Sequence, residues 1–374
     1  MSHALRRPVI HGTRAGDGTA QLSFLETETD ASLMHRIMLL PKIELHKHLT
    51  GSIAAPTAVR IAAKHNIKLP TYIATDLDRV LFSQETVKNH KQYFVPWQIL
   101  NKLFVSLDAV RELLTDVVRD AASDNVIYTE LRLGPRNFLG ENGDYNFREF
   151  VDTVADSLRD ADARYGTITK CVLGIPRHVF AKFPLLSRNK MFGKMLYAIR
   201  ERPDCFVGVD LNGDELAASA TDFVTFFKIA RQLNLPVTIH AGEVGPAESV
   251  SFAVEELGAS RIGHGIAAAK SERTLALLAE RRCTLEICPT SNKFLGLIKD
   301  IRDLPLRRFQ ERQIPFVICT DNPARCRTSL SEELYKIAKS FSYSSDDLAK
   351  LTAEALAAAF VDDVTRSTLA AKLH

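Results

Sequence analysis

Eight short apolar runs, separated by longer amphipathic segments, predict an α/β chain of the (β/α)8 TIM-barrel class. Two further observations agree. Four of the runs carry histidine or aspartate at or near their C-terminal end, which is where such a barrel keeps its chemistry. A length of 374 residues also suits one large barrel domain better than a string of small modules.

The runs are KIELHKHL (42–49), NVIYTELRL (125–133), KCVLGI (170–175), CFVGVDL (205–211), LPVTIHAGE (235–243), SRIGHG (260–265), CTLEICPTS (283–291) and IPFVICTDN (314–322). Each is bounded by Gly, Pro, Asn or Asp and rich in Val, Ile or Leu, as buried strands are. Between them lie helical patterns such as FREFVDTVADSLRDADARYG and SERTLALLAERR. The alternation implies right-handed βαβ units and a parallel sheet. The rhythm breaks once. Residues 52–124 hold no strand run, only helical patterns that include VKNHKQYFVPWQILNKLF. That is too long for a plain loop, so a helical insertion over the barrel mouth is expected. Its Tyr93, Phe94, Trp97 and Phe104 are expected to pack between helices. Residues 1–30, rich in Gly, Thr and charge, read as a flexible arm, which leaves 31–374 as one domain.

Composition narrows the function classes. A 46% hydrophobic and 25% charged chain is globular, and a net charge of +3 without a basic run does not fit a nucleic-acid binder. No apolar run approaches the length of about 18 residues that a membrane span requires. The N-terminus lacks a signal-like apolar run, so a cytoplasmic location is expected. The six cysteines form no CxxC pair and read as buried thiols, in keeping with a reducing compartment.

The run ends carry the chemistry. In a strand, residues two apart share a face, so His46 and His48 can both aim into the barrel while Lys47 points away. The fifth run ends near His240, the sixth at His264 and the eighth at Asp321. Imidazoles with one carboxylate suit Zn²⁺, and burying so many polar groups costs free energy unless something pairs them. His65, His90 and His178 lie off this pattern and are expected to be ordinary core residues. Glu243, past the strand end in TIHAGEVG, can reach a substrate without binding the metal. Burial would let it donate a proton at neutral pH. His264 can orient and deprotonate a water or serve as a further ligand.

PKIELHKHLTGSI, HAGEV, RIGHG, EICPTSN and CTDN, in this order, resemble the adenosine deaminase family of metal-dependent aminohydrolases. VIYTELRLGPR and VGVDLNGDE look most like its adenosine deaminase-like branch, which includes N6-methyl-AMP deaminases. The resemblance implies one Zn²⁺ held by His46, His48, His240 and Asp321. It implies that Glu243 protonates purine N1, that His264 positions and activates the attacking water, and that Asp321 contacts that water. The substrate-facing set it implies is His48, Thr50, Asn101, Arg136, Gly213 and Asn322. Some positions depart from the family pattern. Asn322 stands where a second aspartate commonly holds purine N7, although an amide can donate to that nitrogen. Thr50 replaces an Asn or Asp, and Asn101 falls near a His, at positions used by the nucleotide-preferring branch. Arg136 is kept and can meet a phosphate or form a surface ion pair. The PCxxC signature of the other zinc deaminases is absent, and the fourth run has no lysine to bridge two metals. The expected activity is deamination at C6 of adenosine or a related adenine compound. N6-methyl-AMP is the alternative substrate, and another ring amine or a non-catalytic role is more remote.

Overall fold

The computed structural model describes residues 30–82, 95–134 and 146–373. Eight parallel strands follow one another in order: β1 (Lys42–His48), β2 (Val126–Leu133), β3 (Ile168–Pro176), β4 (Phe206–Asn212), β5 (Val237–Ala241), β6 (Arg261–His264), β7 (Thr284–Ile287) and β8 (Phe316–Ile318). Every expected run contains one strand. The seam between β8 and β1 is closed beyond the end of β8. There the His48 N–H donates to Asp321 O and the Asp321 N–H to His46 O, both at 2.8 Å. Glu44 reinforces the seam, accepting from the Thr320 N–H and hydroxyl at 3.1 and 2.7 Å and from the His46 N–H at 3.0 Å. The result is a (β/α)8 barrel.

The eighth strand is shorter than its apolar run. It stops at Ile318 because the chain turns at Asp321, whose φ of 60° is left-handed and leaves the pleat. The ring helices form where the periodicity places them. Phe147–Tyr165 is capped by Asn146 at its start and by left-handed Gly166 at its end. Glu272–Arg281 is capped by Ser271, whose side chain accepts from the Thr274 N–H. The apolar layer lies between strands and helices and includes Leu113, Val117, Phe150, Val154 and Leu158.

The stretch 52–124 contains the helices Ala55–Lys64, Ala74–Leu81, Trp97–Leu100 and Leu107–Ser123. The last of these packs against Phe147–Tyr165 and leads into β2, the position of a ring helix. Phe104 is fully buried and Trp97 half-buried, whereas Tyr93, Phe94 and His90 lie outside the described residues. All six cysteines are buried and unpaired. No described helix is long and apolar enough to cross a membrane.

The lumen is built differently from the outer layer. Along β2, β4 and β5 and across the end of β7, the pairs Glu130/Arg132, Asp210/Asn212, Thr238/His240 and Glu286/Cys288 are all buried at a spacing of two. Arg132 is fully buried and donates to Asp210 Oδ2 at 3.0 Å, Glu286 Oε2 at 2.5 Å and Leu45 O at 2.7 Å. Arg261 Nε lies 2.8 Å from Glu286 Oε1, its other end pairs with Glu130, and its guanidinium covers the Phe360 ring at 3.5 Å. Buried charge is tolerated here because each guanidinium lies against carboxylates of opposite sign.

Candidate active site

His46 and His48 leave β1 on one face, His240 comes from β5, and Asp321 comes from the seam. Their ligand atoms all lie within 4.8 Å of one another. His48 Nε2 is 3.3 Å from His240 Nε2 and 3.3 Å from Asp321 Oδ1, and His46 Nε2 is 3.5 Å from the same oxygen. Donors about 2.0–2.2 Å from a tetrahedral ion stand roughly 3.3–3.6 Å apart, so the spacing fits one cation. His46 Nε2 is buried without a hydrogen-bond partner, an orphan that a metal would satisfy. The His48 side chain is 20% exposed against 0% and 5% for His46 and Asp321, so the cluster opens on the side of His48.

The lumen aims these imidazoles. Glu286 Oε2 accepts from His46 Nδ1 at 2.8 Å, and Asp210 Oδ1 from His240 Nδ1 at 3.0 Å, which turns each Nε2 lone pair toward the cluster. Burial pushes the Glu286 carboxyl up, but Arg132 and Arg261 reverse this and hold it well below the carboxylate range. For Asp210, burial is likewise overcome by His240 and Arg132. Burial lowers His48 to about 3 and lowers His240, leaving neutral imidazoles with lone pairs for a metal. Burial and Arg132 also press His46 down, yet the neighbouring carboxylates of Asp321 and Glu286 leave it raised. A cation in place of that proton would serve the same carboxylates.

Glu243 and His264 face this cluster from the rim. Burial drives the Glu243 carboxyl well above its usual value, and the charges of Asp321, Glu215 and Asp214 add to the shift. A carboxyl raised in this way holds its proton more tightly than an exposed one. Burial, then His46, lower His264 well below the usual histidine value, so its ring is neutral. Asn292 Nδ2 donates to His264 Nδ1 at 3.1 Å, which places the ring proton on Nε2, 3.4 Å from Glu243 Oε1. Both His264 (φ 64°) and Asp321 (φ 60°) are left-handed without being glycine, a conformation that clusters at functional sites. Ser291 donates to Asp321 Oδ2 at 2.6 Å and fixes that carboxylate.

The expected substrate-facing residues fall into two groups. Thr50 lies on the buried turn Thr50–Ser52 directly after β1, and the helix Trp97–Leu100 that leads into Asn101 packs against this turn. Asn322 is buried beside Gly51, whose imaginary Cβ would come within 1.8 Å of Asn322 Oδ1. Gly213 (φ 80°) follows β4 with its backbone against His178, where a Cβ would meet the ring at 2.6 Å. Arg136 lies outside the described residues.

Of His65, His90 and His178, the three histidines expected in the core, two are described, and neither is fully buried. His178 is half-buried against Gly213, and His65 is half-buried 3.9 Å from Asp108 at the surface. Sequence reasoning also passed over Glu130, Arg132, Asp210, Arg261 and Glu286. Their signal was present, since each is a charged residue inside an otherwise apolar run. Glu215 and Arg177 had no comparable signal. Arg177 donates to His240 O at 2.7 Å, and Glu215 accepts from the chain after β5.

Comparison with known proteins agrees with this geometry. The adenosine deaminase family model matches residues 41–374. An adenosine deaminase of Enterococcus faecalis is 34% identical over 339 residues, spanning 90% of this chain and 97% of that protein. The N6-methyl-AMP deaminase of Arabidopsis thaliana, solved in its apo form, superimposes with a TM-score of 0.76 at 26% identity, covering 91% of this chain and 98% of that one. Arabidopsis ADAL complexed with IMP gives 0.77 at 25%, covering 91% and 97%. The chain therefore belongs to the adenosine deaminase family, metal-dependent aminohydrolases that hydrolytically deaminate adenine compounds.

Proposed function

We propose that the protein is a zinc-dependent aminohydrolase that converts adenosine to inosine and ammonia. The observation that carries this reading is the convergence of three imidazoles and one carboxylate beside the buried pair Glu243 and His264. His46, His48, His240 and Asp321 would hold the ion, and its chemistry when bound is Lewis-acid activation of a water near neutral pH.

The residues then divide the work. Glu243 gives its proton to purine N1, which draws electrons from C6 and makes that carbon electrophilic. His264, with its proton on Nε2, donates to the attacking oxygen and holds it over C6. Asp321 accepts the water's first proton, which passes to the departing amine. The water's second proton restores Glu243 as the C6 carbonyl forms. Asn322 donates its amide to N7, and the Gly213 backbone meets the purine edge. Zinc-loaded protein is expected to release ammonia from adenosine. If adenosine, AMP and N6-methyl-AMP are all left untouched, the reading fails.

A second reading, deamination of N6-methyl-AMP, is supported by the likeness to the Arabidopsis enzyme named for that reaction. Arg136 would then meet the phosphate, with Thr50 and Asn101 along the nucleotide. A preference for the 5′-phosphorylated substrates in the same assay selects this reading over the first.

A further inference from the structure

We infer that Glu215 is the positioning residue for Glu243, acting as a carboxylate template on which the rim loop 242–245 is folded. The inference rests on the reading of Glu243 as the proton donor. Glu215 follows β4 in the segment LNGDE and reaches across to the loop after β5. Its Oε2 accepts from three consecutive backbone N–H groups, Glu243 at 3.1 Å, Val244 at 3.1 Å and Gly245 at 2.9 Å. Its Oε1 accepts from the Gly242 N–H and the Ser249 hydroxyl, both at 2.8 Å. One side chain thus receives every backbone N–H of the loop.

No regular structure holds this loop. It lies between β5, which ends at Ala241, and the helix that begins at Ala247. Its backbone donors point inward, where water cannot replace a lost acceptor. Successive N–H groups converging on one anion form a nest, and here the anion belongs to the chain itself. The loop sequence fits its template closely. Gly242 is left-handed at φ 65°, and a Cβ on Gly245 would lie 2.4 Å from Glu215 Oε1. Glu243 is carried by the same backbone, so the direction of its carboxyl follows from where Glu215 puts the amides. Glu215 itself is turned into the loop and is not proposed to touch the substrate.

The charge of Glu215 and its geometry are separable by substitution. Glu215→Gln keeps the shape but has a single acceptor oxygen, so it must release part of the loop. A displacement of about 1 Å near the reacting atoms costs roughly 10²-fold in rate. In zinc-loaded full-length protein, Glu215→Gln is expected to lower kcat about 10²-fold with KM within a few-fold and zinc content unchanged. Amide hydrogen exchange at 242–245 should speed up by at least about 10-fold, with the barrel strands unaffected. Gly245→Ala, which pushes the carboxylate away without removing it, should give the same pattern and guards against a Glu215 variant that does not fold. Glu215→Asp is too short to reach all donors and should not restore the rate.

Unchanged exchange at 242–245 in both folded variants would overturn the inference. So would a kcat loss that merely tracks a loss of folded or zinc-loaded protein. The exchange readout stands apart from turnover. If the parent protein deaminates no adenine compound, the functional reading fails while exchange still decides whether Glu215 templates the loop.

Discussion

Glu286 in the barrel lumen and Glu243 on the rim are both buried, yet their surroundings drive them in opposite directions. Around Glu286 stand two guanidiniums, Arg132 and Arg261, which overcome the effect of burial and keep the carboxylate charged. Around Glu243 stand Asp321, Glu215 and Asp214, which add to burial and push its carboxyl up, with Arg177 opposing only in part. The difference teaches that depth does not set the protonation state; the sign of the neighbours does. The lumen is a neutralised ionic scaffold. The rim gathers negative charge and neutral imidazoles, an arrangement that suits a divalent cation.

The comparison is most easily broken at the rim. Glu243→Gln keeps the shape but removes the transferable proton, and kcat is expected to fall about 10²–10⁴-fold with zinc still bound. If turnover survives, Glu243 is no acid and the contrast with Glu286 loses its functional meaning. On the lumen side, Glu286→Gln leaves Arg132 and Arg261 short of a partner and loosens His46. Zinc affinity should drop about 10–100-fold by competition with a chelator, with a lower melting temperature.

The two carboxyls also predict opposite pH dependences. The folded-state value of Glu286 lies below its unfolded value. Its stabilisation is therefore complete above about pH 4.3 and is lost as the pH falls through the depressed folded value. Glu243 is raised, so the protonated form that the proposed acid role requires is lost as pH rises. The alkaline limb of kcat/KM should depend on Glu243, while acid unfolding, followed by melting temperature, should shift in Glu286→Gln. The smallest effect is expected at Asn322→Asp, a change of a few-fold in KM, because an acid must carry a proton before it can donate to N7.

Much of this was legible before any coordinates. His46 and His48 could be read because a strand's period of two puts them on one face, and Asp321 because it ends an apolar run. The scaffold around them was harder to read. Glu130 and Arg132 sit in one run and Asp210 in another, and only closure of the barrel shows that they pair across the lumen. Glu215 was illegible for a related reason. Its partners are backbone amides, which leave no trace in residue identity. The length of β8 was overestimated because apolar character continues through Cys319, one residue past the strand's end at Ile318.

Two of the four metal-cluster donors sit on the first strand and one on the chain just beyond the last, across the seam. A cation there would rivet together the two margins of the sheet that the polypeptide brings into contact last. Assembly of the centre thus reports completion of the whole cylinder, and a nascent chain that has not yet emerged through its eighth strand has no place to keep an ion. Loss of the ion, in turn, removes a fastener from the one joint of the wall held by an isolated bridge instead of a strand ladder.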